Sequence, residues 1–100
     1  MHLIKIMLPL LSTGMLMAAS GESIYQTKCA SCHGKMAEKK ALGHSNVIKG
    51  MPTDKFVTLT KAFATGEEKA MPIAKIVKKQ FIDTYSDEEI KAVAEYVNKL

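Results

Sequence analysis

The stretch "KCASCHGK", residues 28–35, holds both cysteines of a 100-residue chain and one of its three histidines. Residues three and four apart on a helix share a face. Cys29, Cys32 and His33 therefore project two thiols and an imidazole toward one region. The spacing suits neither of the usual small-protein roles of cysteine. A zinc site needs about four ligands, and past residue 33 the chain offers only His44 and no second cysteine pair. A Cys-x-x-Cys disulfide closes a loop too short to constrain much unfolded chain, and it leaves His33 without a purpose. A thioredoxin-like redox pair calls for a preceding strand and a βαβ setting, which the surrounding pattern does not supply.

Working outward, "MHLIKIMLPLLSTGMLMAAS", residues 1–20, reads as a secretory signal. Lys5 and the amino terminus form a positive start, an apolar run follows from Ile6 to Ala19, and Ala18-Ala19-Ser20 gives small residues for cleavage after Ala19 or Ser20. Pro9 and Gly14 interrupt the run, which falls short of the roughly 20 apolar residues that span a bilayer. The expected organisation is a leader over 1–20 and one domain over 21–100, working as a monomer in the periplasm without permanent membrane association.

A domain of about eighty residues sits where an apolar core barely offsets chain entropy, so a staple is expected. Each thiol of the motif can add across a vinyl group of a haem, and the adjoining imidazole then reaches the iron from the same side. One covalently bound haem c is the cofactor that uses all three residues. Of fourteen lysines only Lys5 falls in the leader, which leaves thirteen against ten acids and no arginine. This weak basic balance argues against nucleic acid, where a dense stripe with forked arginine contacts is expected. It suits an acidic protein partner instead.

The rest of the domain reads as helices. "GESIYQTKCASCH" predicts a short helix with Ile24 and Tyr25 inward, ending near Gly34. Gly34, Gly43, Gly50 and Pro52 mark a loop with one helical turn around Met36 to Leu42. Thr53 is a candidate N-cap for a helix carrying Phe56, Leu59, Thr60 and Phe63 on one face and closed by Gly66. "IAKIVKKQFIDTY" predicts a further short helix with Ile73, Ile76, Val77 and Phe81 inward. Ser86 and Glu89 form a capping box for a last helix with Ile90, Val93, Ala94 and Val97 as its buried stripe. No segment alternates long enough to demand a strand, so the expected fold is all-α.

With these motifs the chain resembles the class I cytochromes c, and among them the small periplasmic monohaem proteins of c-553 type. The likeness rests on "GESIYQTKCASCH", "CASCHGKMAEKKALG", "EKAMP" and "YSDEEIKAVAEYVNKL" and covers essentially the whole domain. It implies first and last helices that cross, with Gly21 giving room for an aromatic supplied by Tyr96. It also implies electron transfer rather than enzymatic activity. The implied partners are redox proteins: a donor such as a cytochrome bc complex or dehydrogenase, and an acceptor such as a terminal oxidase or peroxidase.

The residue opposite His33 on the iron separates an electron carrier from a gas-binding or sensing protein, and an uncut leader would make the chain a membrane-tethered subunit. A thioether there favours the reduced iron and closes the site. Met36 is three residues from His33, too near to return from the opposite face. Met51 has enough chain but also suits a hydrophobic staple before the next helix, and His44 would give bis-histidine ligation. Met71, in "KAMP", has the longest path around the ring and matches the loop that carries the axial methionine in the resembled family. Pro72 beside it is expected to deny that loop a continuous helix. The expected site is thus Cys29 and Cys32 for the thioethers with His33 and Met71 on the iron. Phe56, Leu59, Phe63, Ile76 and Tyr85 are candidate walls, with lysines such as Lys28, Lys35, Lys39, Lys40, Lys49 and Lys69 around the exposed edge. The stretch from Met71 to Ser86 is several residues longer than the connection this resemblance implies.

Overall fold

The computed structural model describes residues 20–43 and 46–100, without the side chain of Leu42. The expected leader, except Ser20, and His44 lie outside the described residues. Among the described residues five α-helices follow in order: α1 Gly21–Lys28, α2 Ala30–His33, α3 Thr53–Thr65, α4 Pro72–Thr84 and α5 Asp87–Asn98, with a 3-10 turn at Ala41–Gly43. There is no strand among the described residues, as the periodicity predicts. The first helix packs on the last, and α3 packs on both α4 and α5.

The crossing of α1 and α5 is set by what is missing at Gly21. A Cβ there would run into the backbone of Ala92 and Val93, so only glycine lets the two helices approach this closely. The detail differs from expectation, because Gly21 clears the backbone of α5 rather than the Tyr96 ring. Tyr96 instead lies on Tyr25, with ring centroids 5.5 Å apart and planes tilted by 46°, a favourable aromatic geometry. Tyr25 is fully buried. Its hydroxyl donates to the Gly34 carbonyl at 2.6 Å, and burial, foremost among several causes, pushes its pKa up to about 12.

Helix α5 follows its pattern closely. Ser86 accepts from the Glu89 backbone while the Glu89 carboxylate receives the Ser86 N–H, completing the capping box. Ile90, Val93, Ala94 and Val97 are all buried, and they join Ile24, Tyr25, Ala37, Phe56 and Phe81 in one core. The loop that leads to α3 is tied to the end of this helix. Gly50 N–H donates to the Val97 carbonyl, and the Asn98 side chain donates to the Met51 carbonyl at 3.1 Å. Ala37, fully buried, takes a left-handed φ of 57°; its carbonyl receives Lys49 N–H.

Three local expectations are corrected. Pro52, not Thr53, is the N-cap of α3, since its extended ψ of 139° lets Thr53 enter as the first helical residue. Pro72 does not keep its segment from continuous helix; it starts α4 at N1, where its missing N–H costs nothing. Helix α4 is 13 residues long, and although Phe81 is buried as expected, Ile73, Ile76 and Val77 are 51%, 58% and 40% exposed. The core is reached by Phe81, Ile82 and Tyr85 at the far end of the helix, so the apolar stripe of its first half runs past its packing partners.

Two substitutions test this packing by denaturant unfolding of the haem-loaded protein. Gly21→Ala drives α1 off α5 and should cost on the order of 1–3 kcal/mol, the range for overpacking. Tyr25→Phe removes one bond to the Gly34 carbonyl, but Ala37 N–H still donates to it at 3.1 Å. The loss should therefore stay near 1 kcal/mol, the ordinary net value of a hydrogen bond.

Candidate haem site

The motif helix breaks where the site begins. Helix α1 ends at Lys28, Cys29 is the C-cap of α1 and the N-cap of α2, and Gly34 closes α2 at φ 92°. A positive φ of this kind is where glycine is the natural residue, and it turns the chain so that Lys39 N–H returns to the His33 carbonyl at 2.8 Å. This clamp holds a short segment whose own length would not sustain a helix.

Three sequence-predicted residues thus meet on α2 and its cap. His33 is 8% exposed, and its Nδ1 is buried without a hydrogen-bond partner. Burial, with a smaller push from the Lys78 ammonium, holds its pKa down to about 4. The imidazole is therefore neutral at physiological pH, the form that ligates metals. Cys29 is half-buried and Cys32 exposed, and both are free thiols. Burial pushes the Cys29 thiol up, Lys78 opposes this, and Cys32 adds to it.

Cys29 opens onto a hollow of about 240 Å³. Lys28 flanks it, Phe56 and Thr60 form its α3 wall, and Val77, Lys78, Gln80, Phe81, Thr84 and Tyr85 line it from the α4 side. Of the five expected wall residues, Phe56 and Tyr85 are found there. Leu59 and Phe63 lie off the hollow, because α3 turns its i, i+4 row of Phe56 and Thr60 toward it, and Ile76 on α4 lies outside it as well. Lys28 is the one lysine of the expected ring that lines it. Lys78 was not foreseen; only its spacing from Phe81 and Tyr85 along one helix signalled it.

Met51 is partly buried and packs against the core. Met71 is the N-cap of α4 and 43% exposed, while Met36 is 46% exposed. Neither lines the hollow. Among the described residues there is no cluster of three or more His, Cys, Asp or Glu that would hold a bare metal ion.

The donor set fits a haem on observations of the chain itself. Two thiols three residues apart are free, the first lines an apolar hollow, and the imidazole after the second is buried, neutral and unpaired on one nitrogen. An orphaned buried polar atom in a native fold calls for an explanation. His33 would hold the iron of such a group and Cys29 and Cys32 would bond its macrocycle, which would give the buried imidazole a function.

Comparison with known proteins points the same way. Residues 17–97 match the family model described as cytochrome C oxidase, cbb3-type, subunit III. The chain is 38% identical over 87 residues to a cytochrome c-553 of Nitratidesulfovibrio vulgaris, covering 84% of this chain and 79% of that protein. It is 39% identical over 72 residues to a cytochrome c-553 of Helicobacter pylori strain J99, covering 72% and 70%. The family-model match spans the Cys-x-x-Cys-His segment and the helices packed behind it, and with these relatives the chain belongs to the cytochromes c as a small monohaem class I member, an electron carrier with covalently bound haem c.

Proposed function

We propose that the protein is exported, loses residues 1–20 or 1–19, and shuttles single electrons in the periplasm between respiratory redox proteins. Cys29 and Cys32 hold the haem through thioethers, and His33 and Met71 ligate its iron. The observation that carries this reading is the buried, neutral His33 directly after the second free thiol. The haem supplies an iron that alternates between ferric and ferrous states. The chain's part is to hold the imidazole neutral and fixed, to keep water from it, and to present a sulfur to the other axial position.

Met71 is the methionine best supported for that sulfur. Met51 is engaged by the core, and Met36 lies three residues from His33. The Met71 side chain is 43% exposed at the start of α4, the helix that walls the hollow beside Cys29. A thioether favours ferrous iron and blocks external ligands, which suits a carrier and not a gas sensor.

The same hollow supports the choice of partner. Lys28 and Lys78 line it, and neither makes an ion pair among the described residues. A donor such as a cytochrome bc complex or dehydrogenase, and an acceptor such as an oxidase or peroxidase, would meet this edge with acidic groups. Such contacts are small, under about 1,200 Å², and weaken as salt rises. Ser20 caps α1 by accepting from Ser23 N–H. Cleavage after Ala19 keeps this cap, whereas cleavage after Ser20 forfeits about 1 kcal/mol. No described helix is long and apolar enough to cross a membrane.

In protein matured with haem, Met71→Ala should keep the covalent haem but lose the far-red band of sulfur-ligated ferric iron and bind carbon monoxide when reduced. Its potential should fall by on the order of 100 mV, a fraction of the roughly 0.8 V that axial ligation spans. The same behaviour from Met51→Ala alone, or ready carbon monoxide binding by the unmutated protein, would refute the assignment. Replacing Cys29 and Cys32 together by Ala should abolish haem attachment and leave the chain largely unfolded, read by mass and circular dichroism.

A further inference from the structure

Helix α4 carries an apolar face that its protein neighbours leave open. Two rows run along it at i, i+4, i+8 spacing: Ile73, Val77, Phe81 and Ile76, Gln80, Thr84. The second and third members of both rows line the hollow beside Cys29. The first members, Ile73 and Ile76, continue the same face outside it and are 51% and 58% exposed. Val77 belongs to both zones, since it lines the hollow and is still 40% exposed.

Three bulky aliphatic side chains half open to water on one short helix forgo much of the stabilisation that burial would give them. A hollow of about 240 Å³ is also smaller than the roughly 300–1,000 Å³ that encloses a drug-sized ligand. A macrocycle anchored at Cys29 must therefore extend beyond the hollow, and the face it would meet along α4 is this one. We infer that Ile73, Ile76 and Val77 are the apolar cover of the haem, a stripe left open by the protein because the cofactor closes it. Met71, immediately before Pro72, opens the helix that carries this cover. The inference rests on the haem attachment proposed above and extends it to a helix outside the Cys-x-x-Cys-His motif.

The cover also bears on the potential. Ferric iron carries one more positive charge than ferrous, so an apolar cover that excludes water disfavours the oxidised form. Removing the cover should lower the potential without altering either axial ligand.

The test uses the haem-loaded protein with labelled isoleucine and valine methyl groups, reduced to the diamagnetic ferrous state. Methyl resonances of Ile73, Ile76 and Val77, assigned by single substitution, should be displaced from ordinary aliphatic positions by the porphyrin ring current, independently of protein concentration. The double variant Ile73→Ser with Ile76→Ser should keep the c-type spectrum and the sulfur-ligation band while its potential falls. Ordinary methyl positions in protein that carries covalent haem would overturn the cover and leave the electron-carrier reading standing. Displacements that appear only at high concentration would also overturn it, since a second copy of the chain would then be what meets α4. Protein that attaches no haem would refute both.

Discussion

The contact between α1 and α5 is the constraint on which the rest of the structure depends. Gly21 lets the two backbones meet where any side chain would run into Ala92. Tyr25 and Tyr96 then close the crossing from the next turn, and Ile24 joins the stripe of Ile90, Val93 and Val97. Because Cys29, Cys32 and His33 follow α1 without an intervening loop, the orientation of that helix against α5 also sets the orientation of the thiols and the imidazole. The Tyr25 hydroxyl carries this one step further, since it holds the carbonyl of Gly34, the residue that ends the motif.

From that fixed side the molecule becomes progressively less complete. The core gathers behind α1 and α5, and the 46–51 loop is sewn to the C-terminal end of α5. Across the hollow, α3 and α4 pack on each other and contribute Phe56, Phe81 and Tyr85. Polar satisfaction fails at His33 Nδ1, and apolar burial fails along the first half of α4. An unpaired polar atom and uncovered aliphatic groups are opposite defects. One iron-bearing macrocycle would bear on both: under the assignments proposed above, its iron would be held by the His33 imidazole and its ring would cover the aliphatic stripe. In a domain this small, where buried area only just offsets chain entropy, such a group would act as a structural member as well as the redox centre.

What was legible in the sequence follows from how local each determinant is. The capping box at Ser86 and Glu89 and the stripe of α5 depend on residues a few positions apart, and they were read correctly to the residue. The motif at 29–33 was equally plain, because thiol and imidazole chemistry at that spacing has few other uses. Pro72 was misread for the opposite reason. A proline after Met71 fits both an extended loop and the first position of a helix, and only the contacts of Phe81, Ile82 and Tyr85 with the core decide between them. Ile73, Ile76 and Val77 show the same limit. Periodicity puts them on one face, but it does not say whether protein, cofactor or solvent covers that face.

The length of α4 follows from the same division of labour. The chain between Met71 and Ser86 exceeds what its likeness to the c-553 proteins implied, and the surplus is ordered as helix. A loop of equal length would expose unpaired backbone groups beside the hollow, where excluded water cannot satisfy them. A helix satisfies them internally, so the element can stand against an apolar surface and offer only side chains. It also separates two tasks along one axis: Phe81, Ile82 and Tyr85 anchor the C-terminal end in the core, and the N-terminal end, beginning at Met71, is left free of core contacts. A sulfur at that free end could shift toward an iron without disturbing the packing behind it, whereas moving Met51 would disturb the core it packs against, and this difference is the physical ground for proposing Met71.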